Sequence, residues 1–244
     1  MSEMRRTAVK LIDQLEVAVA AAATPDNLMN YQQFHKEKLA EPTGLRTAVL
    51  RKISSESFRS IKGLPPKEIL AICDELLTSE FRYRRFIAFD WASKIRKQLQ
   101  PSDFARLERW LKEHVNDWGA CDHLCGGPLG YLLWQYPDSV RRTRSWRRSR
   151  NRWLRRASAV GLIIPVRKGE LWSEVYETAE TLLEDPDDLV QKGYGWMLKE
   201  ASKAFPDRVF DYVMSRRDRM PRTALRYAIE KLPPDKRRQA MARA

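Results

Sequence analysis

Histidine and cysteine are scarce in this chain, three of each among 244 residues, and their rarity removes several chemistries at once. Cys73, Cys121 and Cys125 are odd in number and thinly spread. That argues against the disulfide framework of a secreted domain and for reduced thiols. Cys121 and Cys125 stand one helical turn apart, near His114 and His123, but no second short-spaced Cys/His pair accompanies them to complete a zinc site. No metal and no cofactor are expected. There is no phosphate-cradling glycine loop and no nucleophile elbow, which leaves nucleotide hydrolysis and serine chemistry without support. No apolar run approaches the roughly 18 residues a membrane span requires. The opening MSEMRRTAVKLIDQLEVAVAAAA carries acids within a helical pattern, unlike a cleaved leader. The expectation is a cytoplasmic protein.

Acids are missing from one segment in particular. Residues 141–156, RRTRSWRRSRNRWLRR, hold nine arginines, two tryptophans and neither Asp nor Glu, within a chain of net charge +13. Such a density of one sign repels itself unless a polyanion lies nearby. Arginine's planar fork suits phosphate oxygens, and each phosphate neutralised releases counterions from a duplex. A solvated basic face or a localisation signal is the plainer alternative. Trp146 and Trp153 favour a structured surface, because their seven-residue spacing returns to one helix face. Arg147, Arg148, Arg152 and Arg156 are candidate phosphate contacts on it. Arg82, Arg84, Arg85, Lys199, Arg216, Arg217 and Arg219 would extend the same basic wall.

Almost every segment repeats its apolar residues at three and four, and only ten glycines and thirteen prolines interrupt the pattern. The fold class is therefore all-α. Amphipathic stretches run over 67–77, 81–99, 104–115, 116–125, 129–136, 152–163, 171–183, 189–204 and 208–214, with Pro65 and Pro66 opening the first. Short connectors such as 100–103 and 184–188 suit antiparallel helix pairs stacked as a solenoid, whose concave side can follow a duplex. The letters show no strict repeat, so a compact helical bundle is the alternative. Without a Gly/Ser-rich linker, residues 1–244 read as one domain.

Chemistry concentrates in NDWGACDHLCGGPLGYLLWQYP, where Trp118 and Asp122 are four apart on one helix face and Gly126, Gly127 and Pro128 end the helix. A carboxylate beside an indole could equally be an arginine's partner beside a core aromatic. Further along, Trp153, Leu154, Arg156 and Ala157 form W-L-x-R-A. Gln191, Lys192, Gly195, Trp196, Leu198, Lys199 and Glu200 form Q-K-x-x-G-W-x-L-K-E, followed by FPDRVFDYV. With YQQFHKEKLA and GLRTAVLR resembling opening helices, and SEFRYRRFIAFDW a later one, the sequence from about Tyr31 onward resembles the AlkD-type DNA alkylation repair glycosylases. That family has HEAT-like helical repeats.

The resemblance implies that Asp122 is the catalytic carboxylate, that Trp118 and Trp196 flank the sugar of a damaged nucleotide, and that Arg156 anchors the adjacent backbone. Tyr31 and Arg46 match N-terminal contacts, although Arg46 stands where a neutral residue belongs. It further implies duplex DNA with alkylated purines as partner, a monomer acting in base excision repair, and a base that stays stacked. The chemistry is coherent, since a purine alkylated at N3 or N7 is cationic and leaves without protonation, so the enzyme must stabilise an oxocarbenium-like sugar. A carboxylate and two indole faces suit that cation. The competing expectation is a catalytically inactive helical-repeat module binding DNA or RNA through the same arginines.

Overall fold

The computed structural model describes residues 3–242, and its helices gather into two compact units that divide between Gln98 and Leu99. The first unit contains α1 (Glu3–Ala22), α2 (Thr47–Phe58), α3 (Pro66–Leu77) and α4 (Arg82–Lys94), with a two-stranded antiparallel ribbon of β1 (Leu28–Asn30) and β2 (Thr43–Leu45) between α1 and α2. The second contains α5 (Phe104–His114), α6 (Trp118–Leu124), a π turn over Cys125–Leu129, α7 (Gly130–Gln135) and a 3-10 helix over Pro137–Arg148. It continues through α8 (Arg152–Val160), α9 (Ile163–Arg167), α10 (Trp172–Leu182), α11 (Asp188–Ala201), α12 (Pro206–Arg216), α13 (Arg222–Ile229) and α14 (Pro234–Met241). No described helix is long and apolar enough to cross a membrane.

Local rules explain the boundaries. Pro66 opens α3, and Ile69, Leu70, Ile72, Cys73, Leu76 and Leu77 form its buried face. In α5 the buried residues are Phe104, Leu107, Trp110 and Leu111, the three-four spacing of one stripe. Removing each such side chain from water contributes about 1.5–3 kcal/mol. Side-chain caps fix the starts of the helices that matter most below. Asp117 accepts from Ala120 N at 2.8 Å ahead of α6, Asn151 from Trp153 N at 2.8 Å ahead of α8, and Asp187 from Leu189 N at 2.9 Å ahead of α11.

A repeat that the letters do not show is visible in the contacts. Polar side chains reach across helices to partners 30 to 38 residues away: Ser54 to Asp90, Trp146 to Glu108, Arg155 to Asp185, Arg167 to Glu200, Lys199 to Glu230 and Arg216 to Glu180. One helix pair with its connectors is about that long, so these contacts join a helix to the next pair or to its connector. This is the nearest-neighbour stacking of an all-α solenoid.

Two expectations are corrected. The segment from Tyr31 to Ala40 is no opening helix: Tyr31–Phe34 is a single 3-10 turn, and Gly44 and Leu45 belong to the ribbon, so α2 begins only at Thr47. The Asn30 side chain closes that turn by accepting from Gln32 N at 2.9 Å, and Pro42 prevents a helix from running on to Thr43. Nor do Trp146 and Trp153 share a helix. The chain is extended at Ser149 and Asn151, between the 3-10 helix and α8. Both indoles are buried, Trp146 stacking on Phe104 at 5.7 Å.

Candidate active site

The short helix α6 carries Trp118 in its first turn and Asp122 one turn later, both half-buried. Asp122 faces α8, where Arg156 grips its carboxylate with both prongs, Nε to Oδ1 at 2.9 Å and Nη2 to Oδ2 at 2.9 Å. The remaining guanidinium nitrogen donates to the Leu189 carbonyl at the start of α11. One arginine thus ties three helices together around a single carboxylate. Its side chain is 6% exposed and that of Asp122 20%. Burial pushes the Asp122 carboxyl above its ordinary value, while the Arg156 guanidinium pulls it back. Burial also works against the charge on Arg156, and Asp122 more than offsets it.

This fork was expected on a DNA phosphate; it is turned inward. It occupies two of the roughly four lone-pair positions of the carboxylate, and a fifth of the side chain remains exposed. Behind the pair, Cys121 and Cys125 are fully buried, with Cys121 Sγ against the Trp153 carbonyl at 3.7 Å. Burial holds the Cys125 thiol well up, so it stays neutral beside Asp122. Among the described residues no three His, Cys, Asp or Glu side chains converge as metal ligands.

Helical spacing places Leu189, Gly193, Trp196 and Glu200 on one stripe of α11. Gly193 lies beneath Arg156, where a Cβ would stand 3.1 Å from Arg156 Cγ. Trp196, half-buried, comes one turn later and donates from Nε1 to Glu200 Oε1 at 3.3 Å. Glu200 Oε2 receives Arg167 Nε at 2.8 Å and Lys203 Nζ at 2.6 Å. Although burial opposes ionisation, these two cations bring the Glu200 carboxyl down to about 2. On the other side of α11, Gly195 allows α13 to close in, since a Cβ there would lie 2.8 Å from the Ala224 carbonyl oxygen. Lys199 pairs with Glu230 at 2.8 Å.

The arginine-rich segment divides into two classes. Arg147, 6% exposed, holds Glu174 and Glu177; Arg144 also grips Glu174, Arg155 takes Asp185 at 2.6 Å, and Arg152 takes Asp187 at 2.6 Å. Arg148 and Arg150 are exposed and form no ion pair among the described residues, and Arg142 lies over the Phe104 ring at 4.0 Å. Apart from Asp122 on α6 and Asp138 beside Arg141, the acids that neutralise this run stand on α10 and in the connector before α11, about one repeat later. Reading the run in isolation missed them. A search for Asp and Glu one repeat length downstream would have found Glu174, Glu177, Asp185 and Asp187.

The other expected basic contacts are also engaged within the protein. In the first unit, Tyr31 donates its hydroxyl to the Leu45 carbonyl at 2.7 Å beneath Arg82, whose guanidinium sits 4.4 Å from the ring. Arg46 is exposed, with Nε on the Asp26 carbonyl at 2.9 Å, while Arg84 pairs with Glu16 and Arg85 is buried. In the second unit, Arg216 pairs with Glu180 and Arg219 with Glu184, each at 3.0 Å, and Arg217 donates to the Gln239 carbonyl at 3.2 Å.

The fold is similar to the solved structure of a predicted DNA alkylation repair enzyme from Enterococcus faecalis, with a TM-score of 0.70 at 14% sequence identity, over 78% of this chain and 88% of that one. No curated protein matches the chain. Residues 15–232 match the DNA alkylation repair enzyme family, a span that includes Trp118, Asp122, Arg156 and Trp196, and this chain belongs to that family.

Proposed function

We propose that the protein is a DNA glycosylase that hydrolyses the N-glycosidic bond of N3- or N7-alkylated, cationic purines in duplex DNA, leaving an abasic site. One observation carries this reading: in a chain of this family, a partly exposed carboxylate, Asp122, is held rigidly at the meeting of α6, α8 and α11. As the bond from the sugar C1′ to the purine breaks, the electron pair leaves with the base and neutralises it. Positive charge passes to the sugar. Asp122 faces that charge and orients the water whose oxygen adds to C1′, the released proton going to the carboxylate or to solvent. Trp118 and Trp196 offer electron-rich faces to the same cation.

Charge already present in the lesion replaces a general acid, and the base need not leave the stack to be released. Arg156 positions Asp122 in this reading, while Arg148, Arg152, Arg46, Tyr31 and Lys199 are the proposed backbone contacts, joined by Arg147 only if its pairs to Glu174 and Glu177 open. The protein works as a monomer in the cytoplasm, as a first step of base excision repair.

The closed Asp122–Arg156 pair itself favours a second reading, a duplex-binding module without chemistry, because a sugar cation must compete with a guanidinium already in place. The two readings part on one experiment. Wild type and Asp122→Asn are incubated with duplex DNA containing 7-methylguanine, and base release and duplex affinity are measured. The glycosylase reading expects release to fall about 100- to 1000-fold with affinity kept. Release from neither protein above the spontaneous rate, with duplex affinity kept, establishes the second; equal release above that rate removes Asp122 from the chemistry.

A further inference from the structure

We propose that Glu200 is a positioning residue that aims and polarises the Trp196 indole, an inference that rests on the glycosylase reading for its kinetic consequence. Glu200 is an almost buried anion, 5% exposed, on a helix where a neutral residue would pack at lower cost. Its two oxygens do different things. Oε2 receives Arg167 and Lys203, which keep the group ionised at all working pH values, its carboxyl lying at about 2. Oε1 faces back along α11 and accepts the Trp196 indole N–H at 3.3 Å.

Two consequences follow. An indole anchored at Nε1 by the residue one turn later loses most of its rotational freedom, so its face stays where the α11 stripe presents it, beyond Gly193 and Arg156. An indole whose N–H points at a full negative charge also gains electron density on its face. That strengthens attraction to a cation above the ring. Arg167 and Lys203 act from the rim, being 45% and 50% exposed, and would be resolvated if Glu200 were removed. The protein therefore tolerates the substitutions that test this role.

Near-UV circular dichroism reads the orientation of Trp196 as the difference between wild type and Trp196→Phe. That difference is expected to collapse in Glu200→Ala and to persist in Glu200→Gln, whose amide oxygen still accepts the indole N–H. Base release from duplex DNA containing 7-methylguanine is expected to fall about tenfold in Glu200→Ala, the loss of one cation–π contact. Glu200→Gln should fall between Glu200→Ala and wild type, and in the Trp196→Phe background Glu200→Ala should cost nothing further. An unchanged dichroism difference in Glu200→Ala, or an equal loss of release with and without the indole, overturns the assignment. Absence of release from wild type overturns the glycosylase reading instead, and the dichroism then decides the positioning of Trp196 alone.

Discussion

Replacing Asp122 should damage stability as well as chemistry, and the ion pair with Arg156 sets the size of the effect. Two charge-assisted hydrogen bonds of 2.9 Å join side chains that are 20% and 6% exposed. Removing one partner of a buried pair costs about 3–5 kcal/mol, chiefly because the other charge is stranded. Asp122 is partly exposed, and asparagine retains one acceptor, so Asp122→Asn should cost about 3 kcal/mol, at the low end of that range. For a chain of this length that lowers Tm by about 6–12 °C. Arg156→Met keeps the stem over Gly193 but leaves a carboxyl that can escape its penalty by taking up a proton, so its cost should be smaller, about 2 kcal/mol. The double variant strands neither charge. Urea unfolding of all four proteins at pH 7 should therefore give a coupling energy of about 2–3 kcal/mol with unchanged m values. A coupling below about 0.5 kcal/mol would show that the two side chains act independently and that Arg156 does not hold Asp122.

Gly195→Ala should destabilise by about 1–3 kcal/mol despite the better helix propensity of alanine, because its Cβ meets the backbone of α13; thermal unfolding checks this. Substituting Arg148 and Arg150 by Ala should flatten the salt dependence of duplex affinity, whereas Arg147→Ala should lower Tm and leave the slope unchanged. With the Asp122 carboxyl raised by burial, its proton is lost only at a higher pH than for a free aspartate. Base release should therefore fail on acidification before an unperturbed carboxylate would titrate, and Arg156→Met should move that acid limb higher still, as a pH–rate profile would show. Glu200 has the opposite sign: its folded-state value is depressed, so the stability it supplies is complete above about 4.5 and disappears as pH falls toward 2. Glu200→Gln should accordingly flatten the acid side of a stability–pH curve over that window.

Helix type was legible wherever apolar residues kept a three-four rhythm, as in α3, α5 and α11, whereas the caps Asp117, Asn151 and Asp187, though local, emerge only in the structure. The ribbon was not legible, since three-residue strands carry too few positions to show alternation and the turn at Tyr31 depends on the Asn30 side chain. Motif order brought Asp122, Trp118, Trp196 and Arg156 to notice. What it could not give was the direction of the Arg156 fork, which depends on α6 and α11 meeting α8 and on Gly193 leaving room for its stem. The same limit applied to the arginine run, most of whose counter-charges lie in the next repeat and cannot be read from its own sixteen residues.

That displacement between cations and their counter-charges has a consequence during biosynthesis. Translation brings residues 141–156 out of the ribosome before Glu174, Glu177, Asp185 and Asp187, which follow them along the chain, have emerged to pair with them. A nascent chain halted ahead of Glu174 displays its guanidinium groups unneutralised beside ribosomal RNA, and it adheres there as any polycation would. Docking of α10 against the 3-10 helix neutralises Arg144 and Arg147, so adhesion of the growing polypeptide to RNA should weaken once the following helix pair has emerged.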